Sequence, residues 1–155
     1  MIHRITDKLA QAFFIAAYRV CFCLWFIFRP KTFGVNVAIW YNSKILLIKT
    51  SYKNEYTVPG GYIKRGENKT SAAVRELEEE ITLQVKPEEL KYFTQYTSDI
   101  EYKKDTTYFF EIELNQPPVV KVDNREVVWA DFISPTMALG LNISPYVRSY
   151  IASRG

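Results

Sequence analysis

Histidine occurs once and cysteine twice in this 155-residue sequence, and these scarcities narrow the chemistry before any pattern is read. Cys21 and Cys23 stand one residue apart inside an apolar run, with no further Cys or His cluster to complete a zinc site or a disulfide framework. They read as two buried, reduced thiols. His3 lies close to the first residue, where ordering is poor, so Ser–His and Cys–His nucleophilic catalysis are not expected. Net charge is also small: a formal +3 gives no reason to expect bulk nucleic-acid binding, although local basic clusters can still meet phosphates. Internal repeats and low-complexity tracts are absent. What is abundant is apolar and aromatic material, 48% and 15% of the residues, which excludes global disorder and suits one domain with a sizeable core.

Residues 1–30 form a segment of their own. Ile2, Ile5, Leu9, Phe13, Ala16, Val20, Leu24 and Ile27 recur at helical spacing, with Arg4, Lys8, Gln11 and Arg19 on the other stripe. Beyond Arg19 the polarity vanishes until Arg29 and Pro30 end the pattern. Such a helix cannot be freely solvated, and three readings stay open. It packs on the domain or on a second subunit, as a homodimer would; it lies in a membrane interface; or it spans a bilayer, at a cost of ~3 kcal/mol for Arg19 near the middle. A cleaved secretory signal is not expected, since no small-x-small site follows the apolar run. A cytoplasmic location, with membrane association left open, is the corresponding expectation.

From Gly34 the texture changes to short alternating segments, so residues 34–155 are taken as the main domain. Val35 to Tyr41 and Lys44 to Thr50, joined by Asn42–Ser43, predict a hairpin. A short extended piece at Thr57–Val58 runs into Pro59–Gly60–Gly61, and a helix is predicted from about Thr70 to Ile81. Further strands are predicted at Tyr92–Thr97, Thr107–Leu114 and Val127–Ile133, and a last helix from Ser144–Pro145.

The chemistry concentrates between Gly61 and Leu83. Helical spacing puts Glu76, Glu79 and Glu80 at i, i+3 and i+4, three carboxylates on one face, while Ala73, Val74, Leu77 and Ile81 form an apolar stripe on the other. Crowded carboxylates repel, and a hard divalent cation with oxygen ligands would offset them. Arg75 can orient a carboxylate by a bidentate contact, with Glu67 in the preceding loop as a partner. Gly60 and Gly61 permit a sharp turn and a close backbone approach to a ligand. A glutamate-rich helix is more often only a solvated face, and it is the spacing that argues otherwise here.

That stretch resembles the box of the Nudix hydrolase family: Gly61, five residues, Glu67, seven residues, then Arg75-Glu76-Leu77-x-Glu79-Glu80-x-Thr82-Leu83. Thr82 stands where the family has glycine, and a β-branched residue there disfavours a left-handed backbone by ~1 kcal/mol. The resemblance implies an α/β fold, an α/β/α sandwich around a mixed β-sheet, here preceded by an extra hydrophobic N-terminal helix. It implies hydrolysis of the pyrophosphate in a nucleoside diphosphate linked to another moiety, such as a nucleotide sugar, an ADP-ribose-like molecule or a nucleoside triphosphate. Carried over residue by residue, Glu76, Glu79, Glu80 and the Gly60 carbonyl become ligands of Mg2+ or Mn2+. Arg75 and Glu67 become orienting residues, and Glu79 the first choice of general base. Asp99, Glu101, Asp105 and Glu126 are alternative acids. The different reading of the same resemblance is a non-catalytic nucleotide-binding sensor.

Substrate contacts are the least determined. Lys49, Lys53, Lys64 and Arg65 can meet phosphates, and Trp40, Tyr96, Tyr108 or Trp129 can stack on a base. Asp99 occupies the place downstream of the box where some family subtypes carry a marking proline or tyrosine.

Overall fold

Alternation along the central strands sends successive side chains to opposite faces of a sheet, and here both faces are covered. A computed structural model describes residues 2–154, without the side chains of Ile2, His3 and Ile100, so the expectation about His3 lies outside the described residues. In chain order the elements are α1 (Ile2–Phe28), β1 (Lys31–Tyr41), β2 (Lys44–Thr50), β3 (Tyr56–Thr57), β4 (Gly60–Tyr62), α2 (Lys69–Ile81), β5 (Lys91–Ser98), β6 (Lys104–Glu113), β7 (Val127–Ile133), α3 (Pro135–Gly140) and α4 (Pro145–Arg154).

The strands make one mixed seven-stranded sheet with β1 at its centre. β1 turns into β2 through Asn42 and Ser43, both at positive φ (49° and 60°), the backbone that a two-residue hairpin connection favours. β1 also pairs in parallel with β6 along its length, and antiparallel with the short β4 beside its first half. β2 carries β3 and β7, and β6 carries β5. Val35, Val37 and Ile39 of β1 join Leu46, Ile48, Phe110 and the α2 residues Ala72, Ala73, Leu77 and Ile81 in one core. Ala38 and Trp40 join Ile45, Leu47, Phe109 and the α4 residues Val147, Tyr150 and Ile151 in the other. The result is the expected α/β/α arrangement, with α2 on one face of the sheet and α3 and α4 on the other.

Tyr150 anchors the second core. It is fully buried, its ring lies 5.1 Å from that of Phe109, and its hydroxyl accepts from Trp40 Nε1 and donates to Glu111 Oε2, both at 2.8 Å. Trp40 is therefore core, as a buried indole with a satisfied N–H should be.

α1 lies along the domain on one stripe. Phe14 and Tyr18 meet Tyr52 at ring separations of 6.3 and 5.2 Å, Trp25 meets Tyr62 at 6.5 Å, and Phe22 and Phe26 meet Tyr102 at 5.3 and 5.0 Å. Gln11 Nε2 donates to the Asn124 carbonyl at 2.7 Å, and Arg125 pairs with Asp7 at 3.2 Å. Only that stripe is covered, which corrects the expectation for the cysteines: Cys21 and Cys23 are both exposed.

Candidate active site

α2 starts on a side-chain cap, with Asn68 Oδ1 accepting from Thr70 N at 2.8 Å, and its buried stripe fixes which way the opposite stripe points. Glu76 and Glu80, one turn apart, thereby face the glycines of β4. The approach is close. A Cβ built on Gly61 would meet the Glu76 carboxyl at 2.5 Å, and one on Gly60 would meet the Val35 carbonyl oxygen at 2.0 Å. Gly60 also has φ +157°, and its N–H donates to Glu80 Oε2 at 2.8 Å.

Arg75 ties the acids together. Its guanidinium donates from Nε and Nη2 to the two oxygens of Glu67 (2.8 and 3.0 Å), from Nη1 to Glu76 (2.6 Å) and Glu79 (3.1 Å), and from Nη2 to the Tyr62 carbonyl (2.9 Å). This is the bidentate fork that only arginine offers. The Arg75 hydrogen bonds, with help from Lys64 N–H, hold the Glu67 carboxyl down at about 2. Burial works the other way on the acids facing the sheet. It is the largest cause raising Glu76, Glu80 and Glu126 above the ordinary carboxylate range, and their mutual repulsion and that of Glu79 add to it. The Arg75 bond to Glu76, the Gly60 N–H on Glu80 and the Tyr52 hydroxyl on Glu126 pull in the opposite sense.

Glu80, Glu126, Gly60 and Gly61 line a cavity of about 630 Å³, the size of a small-molecule site. Its other walls are aromatic and charged. Phe14, Tyr18 and Trp25 come from α1, Tyr52 and Tyr62 from the domain. Lys53 and Lys103 reach Glu101 at 2.9 and 3.2 Å, Lys103 lies 4.4 Å from the Trp25 ring centre, and Tyr18 Oη donates to Glu101 at 2.5 Å. Thr50 Oγ1, in the cavity wall, is buried without a hydrogen-bond partner among the described residues.

The other candidates from the sequence fall in different places. Glu79 is exposed, 3.6 Å from Lys64 Nζ, and Lys64 and Arg65 are themselves exposed beside the box. Tyr96 packs edge-on against Phe109 at 5.3 Å beside Tyr146, behind the cavity rather than in it, and Trp129 packs against Tyr56. Lys49 is held by the Asn54 carbonyl and the Tyr56 ring, and Tyr108 lies beneath Lys69. Glu101 and Asp105 line the cavity but are engaged, Asp105 by Thr32 (2.5 Å) and Thr107 (3.1 Å). Asp99 is exposed outside it. The aromatic walls, by contrast, were not singled out in the sequence as ligand contacts. Only the helical stripe containing Phe14, Tyr18 and Trp25 could have pointed to them.

As a metal site the donor set is all oxygen, and its buried carboxylates repel one another, which is the chemistry a hard divalent cation suits. Among the described residues no three acidic, histidine or cysteine side chains already converge at ligating range. Arg75 occupies one oxygen of Glu76 and the Gly60 N–H one of Glu80.

Residues 30–150 match the sequence profile of the NUDIX domain. The chain belongs to the Nudix family. By that membership it is a pyrophosphohydrolase, and it carries every carboxylate of the Nudix box, Glu76, Glu79 and Glu80 on α2 and Glu67 in the loop before it. Solved structures of the same fold include a Caenorhabditis elegans Ap4A hydrolase binary complex (TM-score 0.67, 20% identity, 78% of this chain and 93% of that one). A MutT Nudix hydrolase from Burkholderia pseudomallei superposes with TM-score 0.68 at 16% identity, over 79% of this chain and 96% of that one. The Nudix domain of Shewanella oneidensis NrtR, complexed with ADP ribose, does so with TM-score 0.68 at 14% identity, over 81% and 87%. No curated protein matches the sequence. α1 lies outside the Nudix profile, yet it supplies a wall of this Nudix domain's cavity.

Proposed function

We propose that this protein is a divalent-metal-dependent hydrolase of the pyrophosphate in a nucleoside diphosphate linked to a further group. The observation that carries this reading is the acid cluster beside the cavity, which Glu80 joins to the wall. Glu76 and Glu80 face the two-glycine strand, and Arg75 holds Glu67 and Glu79 beside them. Glu76, Glu79, Glu80 and the Gly60 carbonyl would hold Mg2+ or Mn2+. A cation there supplies charge against the phosphate oxygens and lowers the pKa of a bound water.

The chain's own residues do the rest. Arg75 and Glu67 are positioning residues, acting through the carboxylates they fix. Glu79, the most solvent-accessible of the three box carboxylates on α2, is assigned the proton of the attacking water, with Glu126 in the cavity wall as the second choice. Lys64 and Arg65 meet phosphate from the rim. The aromatic walls offer a base or another flat group a stacking surface. An Ap4A hydrolase and an ADP-ribose-bound domain of this fold support a nucleotide-derived substrate.

The test is a panel of ADP-ribose, dinucleoside polyphosphates, nucleotide sugars and nucleoside triphosphates with Mg2+ or Mn2+. Metal-dependent nucleotide release, abolished by Glu80→Gln, is the expected result. No turnover on the panel, or an equally active Gln variant, overturns the assignment. Ligand binding by calorimetry without product, metal present, would instead make the protein a sensor.

A further inference from the structure

Nine of the seventeen exposed large apolar side chains among the described residues lie on α1. At 3.6 residues per turn, Leu9, Phe13, Val20 and Ile27 fall on the side of the helix opposite Phe14, Tyr18 and Trp25. The first four are 60–69% exposed, and the last three line the cavity. α1 is therefore apolar on two sides, one seated on the domain and one bare.

Arg4–Phe28 is long and apolar enough to cross a membrane. Crossing would take Tyr18 and Trp25 off Tyr52, Glu101 and Tyr62, and Gln11 and Asp7 off Asn124 and Arg125. Lying flat breaks none of these contacts. Charge separates the remaining occupants. Arg4, Lys8, Arg19, Arg29 and Lys31 are all exposed on or just beyond α1, and the helix's one acid, Asp7, is engaged by Arg125. Two copies meeting through this face would bring like charges together, whereas an anionic lipid surface complements them.

We propose that α1 docks in the plane of an anionic membrane surface, with its outer stripe at the headgroup–acyl boundary and its inner stripe still forming the cavity wall. The proposal rests on the helix and not on the chemistry assigned to the cavity.

The test uses the full chain and two vesicle compositions, phosphatidylcholine alone and phosphatidylcholine with phosphatidylglycerol. Flotation with the anionic vesicles is expected, weaker by about tenfold or more on the neutral ones, since each basic residue near such a surface adds about 1 kcal/mol. Leu9→Glu with Phe13→Glu removes binding, and Lys8→Glu with Arg19→Glu, which leaves the apolar stripe intact, weakens it. Both keep the hydrolysis rate in solution. Cys23, toward the outer stripe, and Cys21, at the cavity, then report orientation through an environment-sensitive label on C21S and C23S variants. A blue shift with vesicles at Cys23 alone supports docking in the plane. Shifts at both positions, as a spanning helix would give, or equal binding to both vesicle types would each overturn it. Absence of vesicle binding, with or without self-association of the free protein, overturns the proposal.

Discussion

Thr82 ends α2 at φ 59° and ψ 28°, in the left-handed region that costs a β-branched residue roughly 1–2 kcal/mol. The helix end imposes it. Thr82 N–H donates to the Glu78 carbonyl and Leu83 N–H to that of Leu77, both at 3.1 Å, the nested pair that closes a helix through a left-handed residue. Thr82→Gly should therefore stabilise the domain, by up to about 1 kcal/mol after the greater freedom of glycine in the unfolded chain is set against it. Urea denaturation measures this. Glu67 gives a prediction of the acid limb. Its carboxyl is held at about 2 against an ordinary 4.5, so its contribution is complete above pH 4.5 and is lost as pH falls through 2. Wild type and Glu67→Gln should accordingly differ in thermal midpoint at neutral pH and converge in acid. The Arg75–Glu67 pair was legible in the sequence, because box spacing puts Glu67 in the loop just before the helix that carries Arg75. Tyr52 and Tyr62 were not legible as cavity walls, since nothing local distinguishes a tyrosine beside a cavity from one in a core. Trp40 and Tyr96 were named for stacking and proved to be packed in or against the core.

At the scale of elements, β4 is three residues long, two of them glycine, and it carries the site's closest backbone approach. A methyl at position 60 would run into the Val35 backbone, which cannot yield as a side chain can. Gly60→Ala should cost about 2 kcal/mol or more and lower the midpoint of a circular-dichroism melt. Gly61→Ala, which meets only the flexible end of Glu76, should melt closer to wild type. β1, β2, β5, β6 and β7 were readable as short runs rich in apolar, β-branched and aromatic residues, some alternating and some continuous, and β7 falls on the predicted residues. β4 was not, because glycine carries no alternation. α3 was also missed, although Ser134–Pro135 offers the same cap and first-turn proline that announced α4, with Ser134 Oγ accepting from Met137 N at 3.4 Å. At six residues α3 is too short for an apolar period to show.

For the whole molecule, carboxylates raised by burial and mutual repulsion make cation binding a source of stability. Mg2+ should raise the melting midpoint at neutral pH, by the equivalent of about 2.7 kcal/mol at a hundred times its dissociation constant, and should not do so in Glu80→Gln. Differential scanning fluorimetry reads both. The sequence also showed that residues 1–30 had to be covered by something, but not that one stripe would become a cavity wall, because that depends on tyrosines from three separate loops and strands. The central strand has a consequence of another kind. β1 is apolar on both faces, and its parallel partner is β6, residues 104–113. On the ribosome, β1 can close its hairpin with β2 early, yet its other edge must wait until residue 113 has emerged. Until then the nascent chain presents an unpaired, doubly apolar strand behind an equally apolar helix, an invitation to aggregation that chaperones or a nearby lipid surface would have to answer during synthesis.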